Sequence, residues 1–312
     1  MAKIAGVDGC RGGWVVAIAD GWPPVSQIKV QVRGTFREVL EVTKECEAIA
    51  IDIPIGLPGR RIIPQWPGSF YRWPRLCDLM ARDLLGPKGK SRVFLAPPRQ
   101  TLNATDPRSF QQLHLETTGM KASLPVWGIL SKIREVDSYM SPGLQDRVFE
   151  FYPELVWMDL LQPITHTRID TCAPSHRKTL VSKHTREGIE VRLGLLKNTG
   201  LSIEFQWLTI WKKWLTKSSP FRLISVELDD LLDALAGLKA ANDFLEYQMS
   251  RMKGKRLNNS EQEAADAPNE HIGSGDIERD DGLYFEGFRS IPRIPHADPP
   301  KDPKGLRMEI WY

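Results

Sequence analysis

The run AIAIDIPIGLP at residues 48–58 constrains the fold more than any other stretch of the chain. It is continuously apolar rather than alternating, the pattern of a strand buried on both faces, and such a strand belongs inside a sheet covered by helices on each side. Pro54 and Pro58 stop it. Upstream, KIAGVDG (3–9) and GWVVAIA (13–19) are apolar and β-branched, and Cys10-Arg11-Gly12-Gly13 between them supplies the glycines of a hairpin turn. QIKVQVR (27–33) alternates as a third strand, after which Thr35 caps a helix to about Cys46, with Phe36, Val39, Leu40 and Thr43 at helical spacing. Strand, strand, strand, helix, buried strand predicts an α/β fold: a mixed sheet with helices packed on it.

Residues 59–125 are rich in Pro, Trp and Arg, with one short helix expected around Leu76–Leu85, and read as an insertion over the sheet edge. A helix from Pro125 to Val136 and a strand RVFEFYPE (147–154) ending in a proline stop follow. Thr185 caps a helix carrying Ile189, Leu193 and Leu196 at i, i+4 and i+7. The clearest helix spans 225–248, so the main domain is set at 1–249. Residues 250–281 are polar with almost no large apolar side chain and predict a disordered loop, and 282–312 a C-terminal segment whose GLRMEIWY returns to the domain.

No apolar run approaches the roughly 18 residues of a membrane span. The start MAKIAGVDGC has no secretory pattern, so a soluble, cytoplasmic protein is expected. Four cysteines, Cys10, Cys46, Cys77 and Cys172, form no C-x-x-C pair, which argues against structural zinc and redox motifs. The net charge of +3 does not by itself advertise nucleic-acid binding. Arg60, Arg61, Arg72, Arg75, Arg82, Lys88, Lys90, Arg92 and Arg99 nonetheless crowd into 59–100 against Asp78 and Asp83, a segment able to face an anion.

The aspartates carry the chemistry. On the 225–248 helix, Leu228, Leu231, Leu232, Leu235 and Leu238 fall within an arc of roughly 120°, while Asp229, Asp230 and Asp233 share a separate arc of roughly 100°. Carboxylates this close repel one another unless a cation neutralises them, although acids in a first helical turn are also favoured by the helix dipole alone. Asp8 lies within an apolar strand, either as a turn residue or as a charge with a partner. Asp52 stands near the carboxyl end of the buried strand, where open α/β sheets build their sites, or caps and hydrogen-bonds locally.

Together these positions resemble the ribonuclease-H-like superfamily: an acid in the first strand of a hairpin, a second on the strand after the first helix, and Asp230-Leu-Leu-Asp233-Ala-Leu-Ala236 on a late helix, the last similar to Holliday-junction resolvases. More closely, the chain looks like the family labelled domain of unknown function 429, predicted to be ribonuclease-H-like nucleases. The resemblance runs through GVDGCRGGWVVA (6–17), AIDIPIGLP (50–58), AR-x-LLG (81–86), VFLAPPR (93–99), KIREVD (132–137), FE-x-YPE (149–154), SK-x-T-x-x-G-x-x-x-R-x-x-LL (182–196), DDLLDALA (229–236) and GLRMEIWY (305–312). Tyr152 stands where members tend to have histidine, His184 where they often have a second lysine, and GMKASLPVWGI (119–129) lacks an expected Ser-x-Gln pattern.

What the resemblance implies is a ribonuclease-H-like mixed sheet and metal-dependent cleavage of nucleic acid. Two Mg2+ or Mn2+ ions would be bridged by Asp8, with Asp52 and Asp233 completing the shell, Asp230 ligating or orienting water, and Glu150 and Glu154 in second rank. Lys183, Arg186, Arg192 and Arg11 would contact phosphates. Against this stand a nucleotide-phosphate protein whose Gly9, Gly12 and Gly13 cradle phosphates, and a non-catalytic interaction protein on the same fold. A zinc site from His166, Cys172, His176 and His184 fits no common spacing. Trp207, Trp211 and Trp214 beside Lys212, Lys213 and Lys217 recur at helical spacing, which favours a face packed on the core over a base-stacking strip.

Overall fold

The computed structural model describes residues 2–24, 28–59, 73–161, 180–201, 203–218, 225–265, 293–294 and 299–312, with side chains beyond 251 on the last helix left aside. β1 (Lys3–Cys10), β2 (Gly13–Asp20), β3 (Lys29–Arg33), β4 (Ala48–Ile51) and β5 (Val148–Glu150) form one sheet in the order β3-β2-β1-β4-β5. The pairs β1/β2 and β2/β3 are antiparallel, and β1/β4 and β4/β5 parallel. A two-residue turn closes the β1/β2 hairpin at Cys10↔Gly13, with Gly12 at φ 80°. That conformation favours glycine because it has no Cβ to clash.

The pleat sorts the strand residues onto two faces. Ala5, Val7, Ile49, Ile51 and Val148 pack with Phe36 and Val39 of α1 (Phe36–Val42) and Ile133 and Val136 of α4 (Leu124–Tyr139). Ile4, Ala48, Ala50 and Phe149 face the other way, toward α9 (Leu228–Ala265) and the helices beside it, α2 (Leu76–Gly89), α6 (Pro153–Leu161), α7 (Arg186–Asn198) and α8 (Phe205–Ser218). α3 (Pro107–Thr118) and α5 (Pro142–Gln145) complete the stretch between β4 and β5. The chain's end pairs Ile310–Trp311 (β7) with Arg293–Ile294 (β6), and Trp311 bridges to Phe151 beside the sheet. Among the described residues, no helix is long and apolar enough to cross a membrane.

Several elements depart from expectation. The strand expected over 147–154 ends at Glu150, because Pro153 opens α6, where a missing N–H costs nothing. The proline-rich 59–125 stretch contains a second helix, α3, capped by Asp106, started by Pro107 and closed by Gly119 at φ 77°. The polar stretch from 250 remains helical to Ala265, since Lys, Arg, Gln, Glu and Ala are good helix formers whatever their polarity. Residues 266–281 lie outside the described residues. On α8 Leu208 and Leu215 bury and Trp211 packs partly covered against the core, whereas Trp207 is 50% exposed. The side chains of Trp214 and Lys217 lie outside the described residues.

Candidate metal centre

Asp8 belongs to the α9 face of the sheet by pleat: Ile4, Gly6 and Asp8 alternate with Ala5 and Val7. Asp52 continues the parity of Ala48 and Ala50 onto the same face, just past β4, where its backbone N–H donates to Val7 O at 3.0 Å. α9 can approach because nothing projects between it and the sheet. A Cβ at Gly6 would meet Ala234 O at 2.0 Å, and one at Gly237 would meet the Gly6 Cα at 2.7 Å. Asp233, one turn before Gly237, is thereby carried to Asp8.

Asp233 is 1% exposed, and Asp8 7%. The Trp157 indole N–H of α6 donates to Asp233 Oδ1 at 3.1 Å, and Lys183 Nζ donates to Oδ2. Lys183 also stands 3.7 Å from Asp229 Oδ2, which His184 Nδ1 approaches at 3.5 Å. Asp8 Oδ1 accepts from Gly9 N at 2.7 Å, and Asp230 Oδ2 accepts from Glu227 N at 2.8 Å.

The acids perturb one another. Burial, then Asp52, Asp233 and Asp230, push the Asp8 carboxyl well above its usual range. Burial and Asp233 push Asp52 up to about 8, with Lys183 opposing. Burial raises Asp230 to about 6, against the hydrogen bond from Glu227. Asp233 is raised by burial although Lys183 and Trp157 pull it down. Burial works against the Lys183 ammonium, yet Asp233, Asp8 and Asp52 together hold it above the ordinary lysine value. Among the described residues, no group of three or more His, Cys, Asp or Glu side chains is arranged to hold a metal ion. The Lys183 ammonium lies against Asp233, supplying positive charge among the carboxylates.

Other expected site residues lie elsewhere. Glu150 pairs in register with Ile51, on the face opposite Asp52. Its carboxylate takes both prongs of Arg75, each at 2.7 Å, and the Ile55 N–H at 2.7 Å. Arg75 also grips Asp78, and Asp78 accepts from Ala96 N, so this buried triad holds the chain after Asp52 in place. Glu154 is engaged by Arg92 at 2.9 Å and approached by Arg192 at 3.5 Å. Arg192 is fully buried, its guanidinium 5.8 Å from the Trp157 ring. Arg186 is exposed, paired with Glu190 at 2.8 Å, and Arg11 is exposed at the hairpin turn, where its carbonyl accepts from Ser225 N. His166, Cys172 and His176 lie outside the described residues.

Of the basic run in 59–100, Arg75, Arg82, Arg92 and Arg99 bind internal carbonyls and carboxylates, while Lys88 and Lys90 are exposed. A guanidinium fork suits such stapling, so their density marks structure rather than an anion-facing strip. Arg60, Arg61 and Arg72 are outside the described residues. Two residues escape sequence reasoning. Trp157 looks like one more apolar residue of α6, and its signal is only that a buried indole N–H needs an acceptor. Lys132 of α4 covers Gly9, donates to Gly13 O and stacks 4.2 Å over Trp14.

Residues 6–255 match the family described as "Protein of unknown function (DUF429)", and the chain belongs to that family. No curated protein and no solved structure matches it.

Proposed function

We propose that this DUF429 member is a metal-dependent phosphodiesterase of ribonuclease-H-like architecture that cleaves nucleic acid. The observation that carries the reading is the meeting of Asp8, Asp52 and Asp233, with Asp230 beside them, on one face at the carboxyl ends of β1 and β4, where Asp52, Asp233 and Asp230 raise the Asp8 carboxyl and Asp233 raises that of Asp52. A mixed sheet in the order β3-β2-β1-β4-β5, with the acids on β1, after β4 and on a late helix, supports the architecture. Buried carboxylates that repel one another are kept at a cost that a cation relieves. Their oxygens are hard donors, suited to Mg2+ or Mn2+ rather than zinc.

Asp8, Asp52 and Asp230 would hold the metal, with Asp233 beside them and engaged by Trp157 and Lys183. When bound, it lowers the pKa of a coordinated water and stabilises charge on the phosphoryl group. In hydrolysis the water oxygen bonds to phosphorus, the bond to the leaving oxygen breaks, and that oxygen takes up a proton. Trp157 fixes the rotamer of Asp233, and the Glu227 N–H fixes that of Asp230. Of the expected phosphate contacts, Arg11 is exposed at the hairpin turn and placed to meet a phosphate backbone, whereas Lys183 is held by Asp233, Arg192 is buried as a brace and Arg186 is already paired. A Mn2+-dependent cleavage screen over single-stranded, duplex and branched nucleic acids, beside Asp8→Asn and Asp233→Asn, tests the reading. Cleavage by the wild type and its loss in both variants is expected; equal activity in all three contradicts it.

A further inference from the structure

We infer that Lys183 is a built-in cation of the carboxylate site, standing in for a second metal, so that a single divalent ion per chain completes the centre. The inference rests on the metal-dependent reading above. Its geometric basis is the Lys183 ammonium against Asp233 and 3.7 Å from Asp229. Ion pairs of long, mobile lysines contribute little as a rule, because holding the side chain costs entropy. Lys183 is different: at 27% exposed, it follows a stretch of chain that is immobilised residue by residue.

Three successive carbonyls ahead of it each carry a side-chain donor. Arg92 donates to Leu180 O at 3.2 Å, Arg192 to Val181 O at 2.9 Å, and the Thr185 hydroxyl to Ser182 O at 2.9 Å. Arg192 donates to Gly188 O as well, at 3.0 Å, and Glu154 lies between Arg92 and Arg192. Thr185 also caps α7 by accepting from Gly188 N at 3.1 Å. Gly188 carries no side chain at a point where a Cβ would stand 1.9 Å from Ser182 O. The segment SKHTREGIEVR is thus a device for aiming one ammonium, with Arg192, Thr185 and Gly188 as positioning residues. A solvated basic residue on a surface helix needs none of this.

An ammonium held against Asp233 repels a metal approaching the same carboxylate and removes the ligand that the second of two ions would use. The remaining acids, Asp8, Asp52 and Asp230, are left for one ion.

Isothermal titration of the full chain with Mn2+ near neutral pH, comparing wild type, Lys183→Ala and Lys183→Arg, decides the matter, with circular dichroism checking the fold. The expected stoichiometry is one ion for wild type and Lys183→Arg and two for Lys183→Ala. Lys183→Gln, which keeps most of the side chain's length without its charge, replaces Lys183→Ala if that variant misfolds. Two ions in wild type overturns the inference and leaves the metal-dependent reading standing. One ion in both wild type and the uncharged variant overturns it as well, since the ammonium then excludes nothing. No binding by any of them overturns the inference and the reading together.

Discussion

Gly6 of β1 and Gly237 of α9 cross backbone against backbone, so closely that a Cβ on Gly237 would lie 2.7 Å from the Gly6 Cα. Two residues along a strand and four along a helix cover nearly the same length, about 6–7 Å against about 6 Å. Moving from Gly6 to Asp8 on one element and from Gly237 back to Asp233 on the other therefore keeps the two chains in step and brings the acids together. The small residues beside the DD-x-x-D motif are part of the site's geometry.

Substituting either glycine tests this directly. Gly6→Ala meets backbone atoms of α9 that cannot swing aside, and is expected to destabilise by about 3 kcal/mol, the upper end of overpacking costs. Gly237→Ala regains up to about 1 kcal/mol of helix propensity, so its net loss is smaller. Both are expected to reduce cleavage although every aspartate remains. Denaturant melts matching wild type would show that α9 does not pack as described.

The metal-free protein is expected to lose stability as pH rises. Asp52 and Asp230 sit at about 8 and about 6 when folded, against an ordinary value of 3.8. Between these limits the folded state keeps protons that the unfolded chain has released, so stability is highest at the acid end and declines toward pH 8. Asp52→Asn removes an unfavourable charge and is expected to stabilise the chelator-treated protein near pH 8. Melting temperatures across this range check both points. Stability that climbs toward pH 8, or an Asp52→Asn variant that melts lower there, goes against them.

Arg75 holds together a buried group of charges. Replacing it with Met leaves Asp78 and Glu150 without their counter-ion, and removing one partner of a buried pair costs about 3–5 kcal/mol. It also releases the carbonyls of Ile55 and Gly56, just beyond Asp52. Chemical denaturation of Arg75→Met beside Arg75→Met/Asp78→Asn/Glu150→Gln is expected to show partial recovery in the triple variant, because the uncompensated charges are then gone. A triple variant no more stable than the single one would locate the loss in packing.

How far the site could be read in advance follows from the range of each interaction. The hairpin was legible because Gly12 and Gly13 interrupt two apolar runs, and Asp52 because a carboxylate at the end of AIAI breaks a local rule. The separation of Asp233 from its leucine neighbours followed from helical angles alone. Glu150 was not legible in the same way. Whether it shares a face with Asp52 depends on the register of β5 against β4, and the partner that claims it, Arg75, is separated from it by most of an intervening helical region. α3 was written in Asp106, Pro107 and Gly119, but surrounding prolines obscured those caps. Trp157 and the carbonyl staples before Lys183 arise only when distant segments meet.

The central claim is that buried, mutually repelling aspartates exist to hold a divalent cation. The most direct test is the melting temperature of wild type and Asp8→Asn near pH 8, in chelator and in excess Mn2+. At a hundredfold excess over Kd, binding contributes about 2.7 kcal/mol, which is several degrees. Wild type is expected to gain that shift, and Asp8→Asn to start higher in chelator and gain little from the metal. No shift in wild type, or an equal shift in both proteins, would contradict the account.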